Sequence, residues 1–508
     1  MHWDTIVIFI ALGLVVTIAG FVAARWMRGD LRVLNEWGLG GRRFGTVITW
    51  FLLGGDLYTA YTFIAVPALV FGKGGLGIYA LAYSALGYPI AYATLPRLWR
   101  VAKRRGYVTA ADFVKDRFDS RLLATLIAIT GIVATMPYVA LQIFGIAIVI
   151  NQMGVNVDLS LIIAFVVLAL FTMVSGLRAP ALIAFVKDSL LWIVVIVIVI
   201  AVPIKLGGFG TIFAKVPQKL LIPSSALWPG YATLVLGSAF ALFLYPHAIT
   251  GSFAARSDRV IKRNTALLPA YSILLGLIAL TGFMAIAAGV KPHAPYLANA
   301  ALPQLIDLEF PSWFSGVAFA AIAIGALVPA SVMSIAAANL FNRNIYQEFF
   351  RRHASPREET VVSQVVSLLV KLGALIFVAG GAAKQAINLQ LAGGVWIMQT
   401  LPAVFLGLYV RWLDRWAIVA GWIVGVGFGT FWVVQDNFVS SLHVYPFGGA
   451  KGTALYGGLV AFALNLIVVV VGSGIARVVR GAAGMSPGSI DDAEYDEEPE
   501  AAAPAAAM

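Results

Sequence analysis

Thirteen apolar runs of about 20 residues or more follow one another along the chain, and no other sequence feature constrains the fold as strongly. An α-helix rises about 1.5 Å per residue, so each run is long enough to cross the ~30 Å hydrocarbon core of a bilayer. Only 12% of the residues are charged, against about 25% in soluble domains, which excludes an ordinary soluble protein. The runs lie near residues 5–25, 46–71, 76–96, 121–151, 159–176, 181–203, 229–252, 266–290, 313–342, 359–380, 385–410, 416–436 and 453–477. We therefore predict an all-α integral membrane protein with 13 transmembrane helices.

Lysine and arginine residues divide unequally between alternate loops of this arrangement. One set of loops contains 26 of these cations, and the opposite set contains seven. Because cytoplasmic loops carry the excess of Lys and Arg, we predict the N-terminus outside and the C-terminus in the cytoplasm. The net charge of +11 resides mainly in these short flanking loops and is explained by the lipid bilayer, so we expect no nucleic-acid partner.

Residue patterns typical of an enzyme are missing from the sequence. The chain contains no cysteine, so disulfides, thiol chemistry and cysteine metal sites are excluded. The zinc-protease pattern His-Glu-x-x-His is absent, and the single Tyr-Asp pair, Tyr495-Asp496, lies outside the apolar runs. We predict a protein that is not an enzyme and has no cofactor and no metal centre.

Two of the apolar runs contain helix-breaking residues. The second run contains Gly54-Gly55-Asp56, and the seventh contains Tyr245-Pro246-His247. Proline removes a helix donor and clashes with the preceding turn, and a carboxylate inside a membrane span is costly unless it faces a cavity or pathway. Because the two runs are five apart, they indicate two inverted repeats of five helices with a binding site at their interrupted spans. The sequence therefore predicts a secondary transporter.

This repeat divides the chain into six predicted parts. They are an extra N-terminal helix with its loop (1–45), the first repeat (46–203), an external amphipathic segment (204–228), the second repeat (229–410), two C-terminal helices (411–480) and a disordered, acidic cytoplasmic tail (481–508). The tail is rich in Ala, Pro and acidic residues, a composition that disfavours a packed core.

Several motifs resemble those of the sodium:solute symporter family. Ser175-Gly-Leu-Arg-Ala179 resembles the family's GGLRA signature, and Asn339-Leu-Phe-Asn-Arg-Asn-Ile-Tyr346 resembles its S-T-x-F-T-R-N-I-Y element. Within the family, the segments around the two predicted breaks look most like those of bacterial monocarboxylate permeases. The resemblance implies the LeuT-type fold and a bacterial inner-membrane location. It also implies substrates such as lactate, pyruvate, acetate and propionate.

The sequence departs from the family at the positions that the resemblance assigns to sodium. The family's Ala-x-x-Ser-Ser/Thr element of the ninth span is replaced here by Gly325, Val328 and Pro329, so that Val328 and Pro329 stand where hydroxyl side chains are expected. A position that is often acidic in the sixth span is Ala184. Lys187 follows Ala184 by three residues and lies on the same helix face, so its ammonium can reach the space that sodium fills elsewhere. A buried ammonium can also gain and lose a proton during the cycle. We therefore predict proton coupling.

The candidate site residues fall into two sets. We expect the substrate, a small monocarboxylate, to contact hydroxyl, amide and imidazole groups of Tyr58, Thr59, Tyr61, Tyr138, Gln142, Tyr245 and His247. We assign ion coupling to Lys187, Asp56, Asp188, Gly325 and Val328. Because adjacent helix residues point about 100° apart, we expect no contact between the side chains of Lys187 and Asp188.

The predicted function is a symporter that imports small monocarboxylates together with protons. Two alternatives stay open at this point. One is a sodium-coupled symporter of a small organic acid or amino acid, such as alanine or proline. The other is a substrate sensor that acts with a separate partner, because the short tail has no room for a signalling domain.

Overall fold

The computed structural model describes residues 3–23, 30, 33–56, 58–379, 386–438, 440–446, 452–481 and 488–497. Within these ranges the chain is helical except for loops and one antiparallel hairpin, in which Leu442 pairs with Tyr456. The predicted all-α architecture is confirmed.

The helices of the first half include five that are shorter than ten residues. They are α1 (Trp3–Ala23), α2 (Leu34–Leu39), α3 (Thr46–Gly55), α4 (Val66–Lys73), α5 (Tyr79–Arg105), α6 (Ala110–Phe118), α7 (Arg121–Gln152), α8 (Val157–Ser175), α9 (Arg178–Leu206), α10 (Phe209–Lys215) and α11 (Gln218–Leu221). A π-helical segment, Tyr61–Ala65, leads directly into α4.

The second half contains the remaining helices and the hairpin. They are α12 (Trp228–Leu242), α13 (Pro246–Phe253), α14 (Asp258–Leu267), α15 (Pro269–Ala287), α16 (Ala301–Glu309), α17 (Ser312–Phe341), α18 (Pro356–Ala379), α19 (Ala386–Ile397), α20 (Leu401–Val404), α21 (Arg415–Gln435), β1 (Leu442–Tyr445), β2 (Thr453–Tyr456), α22 (Gly457–Arg480) and α23 (Asp492–Asp496). A second π-helical segment, Asn342–Phe350, extends α17.

Eleven helical stretches of the described chain are long and apolar enough to cross a membrane. One of them, Tyr61–Arg105, continues from α4 into α5 and so joins parts of two predicted spans. Two shorter apolar helices, Thr46–Gly55 and Val157–Leu170, lie where further spans were expected. The count of 13 spans stays a prediction, because helix length alone does not assign these short and joined segments to separate membrane spans.

Both predicted interruptions are present. Helix α3 ends at Gly55, and helical structure resumes at Ala60, directly before the π-helical segment Tyr61–Ala65. Helix α12 ends at Leu242, and α13 begins at Pro246, which needs no amide hydrogen at the first helical position. Each interrupted span therefore presents free helix ends inside the apolar part of the molecule.

Helix α17 forms the centre of the packing. Its side chains are buried along almost its whole length, and it contacts α1, α7, α9, α13 and α18. Alanine and glycine predominate in its sequence, which allows neighbouring backbones to approach closely. A methyl group added at Gly316 would lie 2.7 Å from the carbonyl oxygen of Thr5 in α1. This central helix passes beside the break that follows α3.

The prediction of a disordered tail is wrong for residues 488–497. This segment contains α23, and its Tyr495 side chain is completely buried. Composition alone did not reveal the arginines of distant loops that compensate its acidic residues. Residues 482–487 and 498–508 of the predicted tail lie outside the described residues.

Candidate functional site

The ammonium of Lys187 occupies the break that follows α3. Lys187 projects from α9, is fully buried, and its Nζ donates to the carbonyl oxygens of Gly55 at 2.8 Å and Tyr58 at 3.1 Å. The carboxyl end of a helix carries partial negative charge and unpaired carbonyls, so a cation is favourable there. Lysine thus supplies a positive charge where this helix end requires one.

Lys187 also forms an ion pair with its neighbour, so the expectation that the two side chains stay apart is wrong. Lys187 Nζ lies 2.8 Å from Asp188 Oδ1, and both side chains are fully buried. The angle of about 100° describes the Cα–Cβ directions of neighbouring residues. The four-carbon stem of lysine is long and flexible enough to bring its ammonium back to the adjacent carboxylate.

Two tyrosines complete the hydrogen-bond network around this pair. The hydroxyl of Tyr271 in α15 donates to Asp188 Oδ2 at 3.0 Å. The hydroxyl of Tyr58 donates to the backbone oxygen of Tyr271 at 2.8 Å. The Tyr271 ring also packs directly over Gly54, where an added methyl group would overlap it. Tyr58, assigned above to the substrate, therefore contacts the ion-pair network.

Asp56 and the α17 residues border the same region. Asp56 follows α3 as its C-terminal cap, is 7% exposed, and its Oδ2 has no hydrogen-bond partner among the described residues. It lies within electrostatic range of Lys187. Gly325 lies in α17, where an added methyl group would meet Leu191 at 3.3 Å and the Tyr58 carbonyl oxygen at 4.0 Å. Val328 belongs to a buried apolar cluster. The described side chains of α17 at these positions offer no oxygen ligand.

Two side chains of the predicted substrate set accept hydrogen bonds from backbone amides at the first break. Gln142 Oε1 accepts from the Ala60 amide at 2.9 Å, and Thr59 Oγ1 accepts from the Tyr61 amide at 3.0 Å. Gln142 Nε2 donates to the carbonyl of Tyr138 at 3.2 Å. Gln142 and Thr59 therefore stabilise the interrupted span, which the sequence did not indicate.

Three further residues of the substrate set meet beside the second break. The ring centroids of Tyr138, Tyr245 and His247 lie 5.3–5.5 Å apart, and all three side chains are buried. The Tyr245 hydroxyl donates to the Gln390 carbonyl at 3.0 Å, whereas His247 Nδ1 has no partner among the described residues. This cluster combines apolar ring faces with a polar nitrogen that is available to a ligand.

Tyrosines of α5 join the predicted set, although sequence reasoning did not select them. The hydroxyl of Tyr61 is 2.9 Å from that of Tyr79, and the rings of Tyr79 and Tyr83 lie 5.7 Å apart. Tyr79 and Tyr83 are spaced i,i+4 in an apolar span. That spacing places two hydroxyls on one helix face, and it could have identified both residues from the sequence.

The family-like motifs connect helices at the cation-rich loops, such as 97–121 and 343–357, which we call the basic face. Arg178 pairs with Glu36, which precedes the first interrupted span. Asn344 accepts from the Thr109 hydroxyl at 2.7 Å and donates to Asp112 at 2.8 Å. These motifs therefore join α2 to α9, and α6 to the π-helical segment that extends α17.

The two interrupted helices, with a buried charged network at the first break, are the features of a secondary transporter of the LeuT-type fold. The chain belongs to the sodium:solute symporter family, whose model matches residues 37–425. It is therefore a multi-pass membrane symporter and not an enzyme.

Relatives of known name support this assignment. The chain is 49% identical to a monocarboxylate transport permease protein of Rhizobium johnstonii, over 93% of this chain and 96% of that protein. It is 36% identical to the uncharacterized symporter YodF of Bacillus subtilis, over 90% of each chain. It is 24% identical to the osmoregulated proline transporter OpuE of the same organism.

A solved structure shares the fold. The chain matches a substrate-bound, outward-open Na⁺-coupled sialic acid symporter with a TM-score of 0.74, over 93% of this chain and 98% of that chain. The sequence identity is 16%, so this likeness shows the fold alone.

Proposed function

We propose that this symporter carries small monocarboxylates, such as lactate, pyruvate, acetate and propionate, by proton coupling in which Lys187 replaces a sodium ion. The observation that carries the proposal is the contact of Lys187 Nζ with the Gly55 and Tyr58 carbonyls. The relative named as a monocarboxylate transport permease supports the substrate class.

The proposed coupling depends on the charge at the end of α3. A protonated Lys187 compensates the partial negative charge of the carbonyls at the end of α3, and its hydrogen bonds attach α9 to the first break. Loss of the proton removes that charge and weakens both contacts, so protonation controls the attachment of α9 to the interrupted span. The titratable groups that face Lys187 are Asp188 on its own helix, Asp56 and Tyr58 at the break, and Tyr271 on α15.

The proposed substrate site lies between the two breaks. The polar groups of Tyr61, Tyr79, Tyr138 and His247 provide hydrogen bonds to a carboxylate, and the adjoining ring faces accommodate a short carbon chain. Capture by hydroxyls and an imidazole is weaker than bidentate pairing with arginine. Such a site suits a carrier that must release its substrate.

We predict that Gln142→Leu and Tyr61→Phe raise the apparent KM for the substrate. Gln142→Leu leaves the Ala60 amide unpaired, and Tyr61→Phe removes the hydrogen bond with Tyr79. Each loss of about 1–3 kcal/mol corresponds to roughly 5- to 150-fold in KM. Initial uptake rates in proteoliposomes measure the effect. Tyr346→Phe, on the basic face, is the matched control. An unchanged KM in both test variants would reject the proposed position of the substrate site.

The substrate class is tested separately by counterflow, which needs no ion gradient. Proteoliposomes loaded with unlabelled lactate, pyruvate, acetate, propionate, alanine or proline are diluted into the labelled compound. Exchange of the monocarboxylates supports the proposal. Exchange confined to alanine or proline favours the alternative of an amino acid symporter, and binding without exchange of any compound favours a sensor.

We further propose the division into repeats at 46–203 and 229–410 and a bacterial inner-membrane location. The paired breaks support the division. The concentration of 26 cations on one set of loops supports an external N-terminus and a cytoplasmic basic face.

A further inference from the structure

We propose that residues 488–497, called the strap below, inhibit transport by holding the basic face of the transporter closed. This inference requires that the protein is a symporter of this fold, and it is independent of the substrate and coupling ion.

The strap is attached to the end of α5 by specific polar contacts. Arg105 forms two hydrogen bonds with the Glu494 carboxylate, through Nε at 2.7 Å and Nη2 at 2.5 Å. Arg100 Nη1 donates to the backbone oxygens of Tyr495 and Asp496, each at 3.0 Å. Paired Arg–carboxylate contacts are more specific than single ion pairs. The hydrogen bond from Arg105 also lowers the pKa of Glu494, so that this carboxyl group is ionised at neutral pH.

Tyr495 anchors the strap between two distant parts of the chain. Its ring lies between the guanidinium groups of Arg97 in α5, at 5.0 Å, and Arg411 after α20, at 4.5 Å. Arg411 also pairs with Asp492. Cation–π contacts of this kind contribute more when the ring is desolvated, and Tyr495 is fully buried.

The strap is also anchored to α6. The Ser489 amide donates to the Asp116 carbonyl at 3.0 Å. Gly488 has a φ of 70°, and an added methyl group there would overlap the Arg117 carbonyl. Glycine at this position therefore permits both the backbone conformation and the close approach.

Helices α6 and α20, which adjoin anchors of the strap, also line a narrow cavity, which we take as the passage toward the basic face. A cavity of about 20 Å³, enough for about one water molecule, lies between the break before α13 and the basic face. Its lining includes Thr109 next to α6, Ala336 in α17 and Val404 at the end of α20. In transporters built from inverted repeats, one helical bundle rocks against the other around the site. Because the strap links α5 in the first half to the loop after α20 in the second, widening this passage requires its contacts to break.

The test uses the absence of native cysteine, which makes an introduced cysteine a unique reporter. The variant Ala336→Cys places a thiol in the lining of the narrow passage. In lipid nanodiscs, where both faces are accessible, the rate of its reaction with a charged maleimide is measured by mass spectrometry. We expect Glu494→Gln or Tyr495→Ala, each added to this variant, to raise the rate by about three- to tenfold.

Matched variants make this test specific. Glu358→Gln breaks an ion pair with Arg351 on the same face without touching the strap, and it is expected to leave the labelling rate unchanged. Tyr495→Phe retains the ring between the two arginines and is expected to label as slowly as the Ala336→Cys parent. Raising the ionic strength from about 0.1 M to 1 M shortens the screening length from about 10 Å to 3 Å, so labelling of the parent should accelerate. Labelling that is unchanged or slower in both Glu494→Gln and Tyr495→Ala, or equally accelerated in Glu358→Gln, would overturn the proposal.

Discussion

Replacing Lys187 by alanine is expected to abolish proton-driven accumulation of substrate. The variant removes the ammonium from the Gly55 and Tyr58 carbonyls and removes the group that we propose to carry the proton. Without a titrating charge, a pH gradient cannot change the attachment of α9 to the break. We expect Lys187→Arg to keep a permanent positive charge and to stop the cycle at the step that requires deprotonation. Uptake in proteoliposomes under an imposed pH gradient measures both effects.

Lys371 provides the matched control for this substitution. It is also a buried lysine within an apolar helix, but its ammonium contacts Ser367, one turn away in α18. We expect Lys371→Ala to retain proton-driven accumulation. Coupling that survives in Lys187→Ala at the wild-type level would refute the assigned role of Lys187.

Replacing Asp188 by asparagine is expected to lower the free energy of unfolding by about 3–5 kcal/mol, because the buried Lys187 ammonium loses its counter-charge. The asparagine amide oxygen can still accept the hydrogen bond from the Tyr271 hydroxyl. The substitution therefore removes the charge and keeps this contact. Thermal unfolding in detergent, monitored by tryptophan fluorescence, provides the measurement. Glu358→Gln breaks a more exposed ion pair and is expected to leave the free energy of unfolding almost unchanged.

A double variant separates the structural contribution of the ion pair from its role in transport. Apolar replacement of a buried ion pair is often nearly neutral for stability, so Lys187→Met with Asp188→Leu should recover most of the stability lost in Asp188→Asn. It should still fail to accumulate substrate. Recovery of both stability and accumulation would mean that the pair contributes only to folding.

The breaks in the fold were predictable because they depend on local chemistry. Gly54-Gly55 and Pro246 interrupt helices through backbone effects that operate at their own positions in the chain. The approach of Lys187 to the first break followed from helix periodicity and from the missing hydroxyl ligands at Val328 and Pro329. The first inference required only residue chemistry and the pairing of repeats, whereas the second also required the resemblance to the sodium:solute symporter family, which assigns those positions to sodium.

Other features depend on contacts between distant residues and left little trace in the sequence. The bond from Gln142 to the Ala60 amide and that from Tyr271 to Asp188 join separate helices, and no local pattern specifies either contact. The pairing of Lys187 with Asp188 depends on the path of a flexible side chain. The folded strap escaped prediction because its acidic residues are compensated by arginines far away in sequence, such as Arg105 and Arg411.

The most direct measurement of the central claim is uptake by proteoliposomes under one ion gradient at a time. The labelled substrate identified by counterflow is offered first with a pH gradient in sodium-free buffer, and then with a sodium gradient at equal pH on both sides. Liposomes without protein, and liposomes with Lys187→Ala, correct for passive entry of the protonated acid. Our account predicts accumulation above both controls with the pH gradient and none with the sodium gradient. Accumulation driven by sodium at equal pH would contradict it.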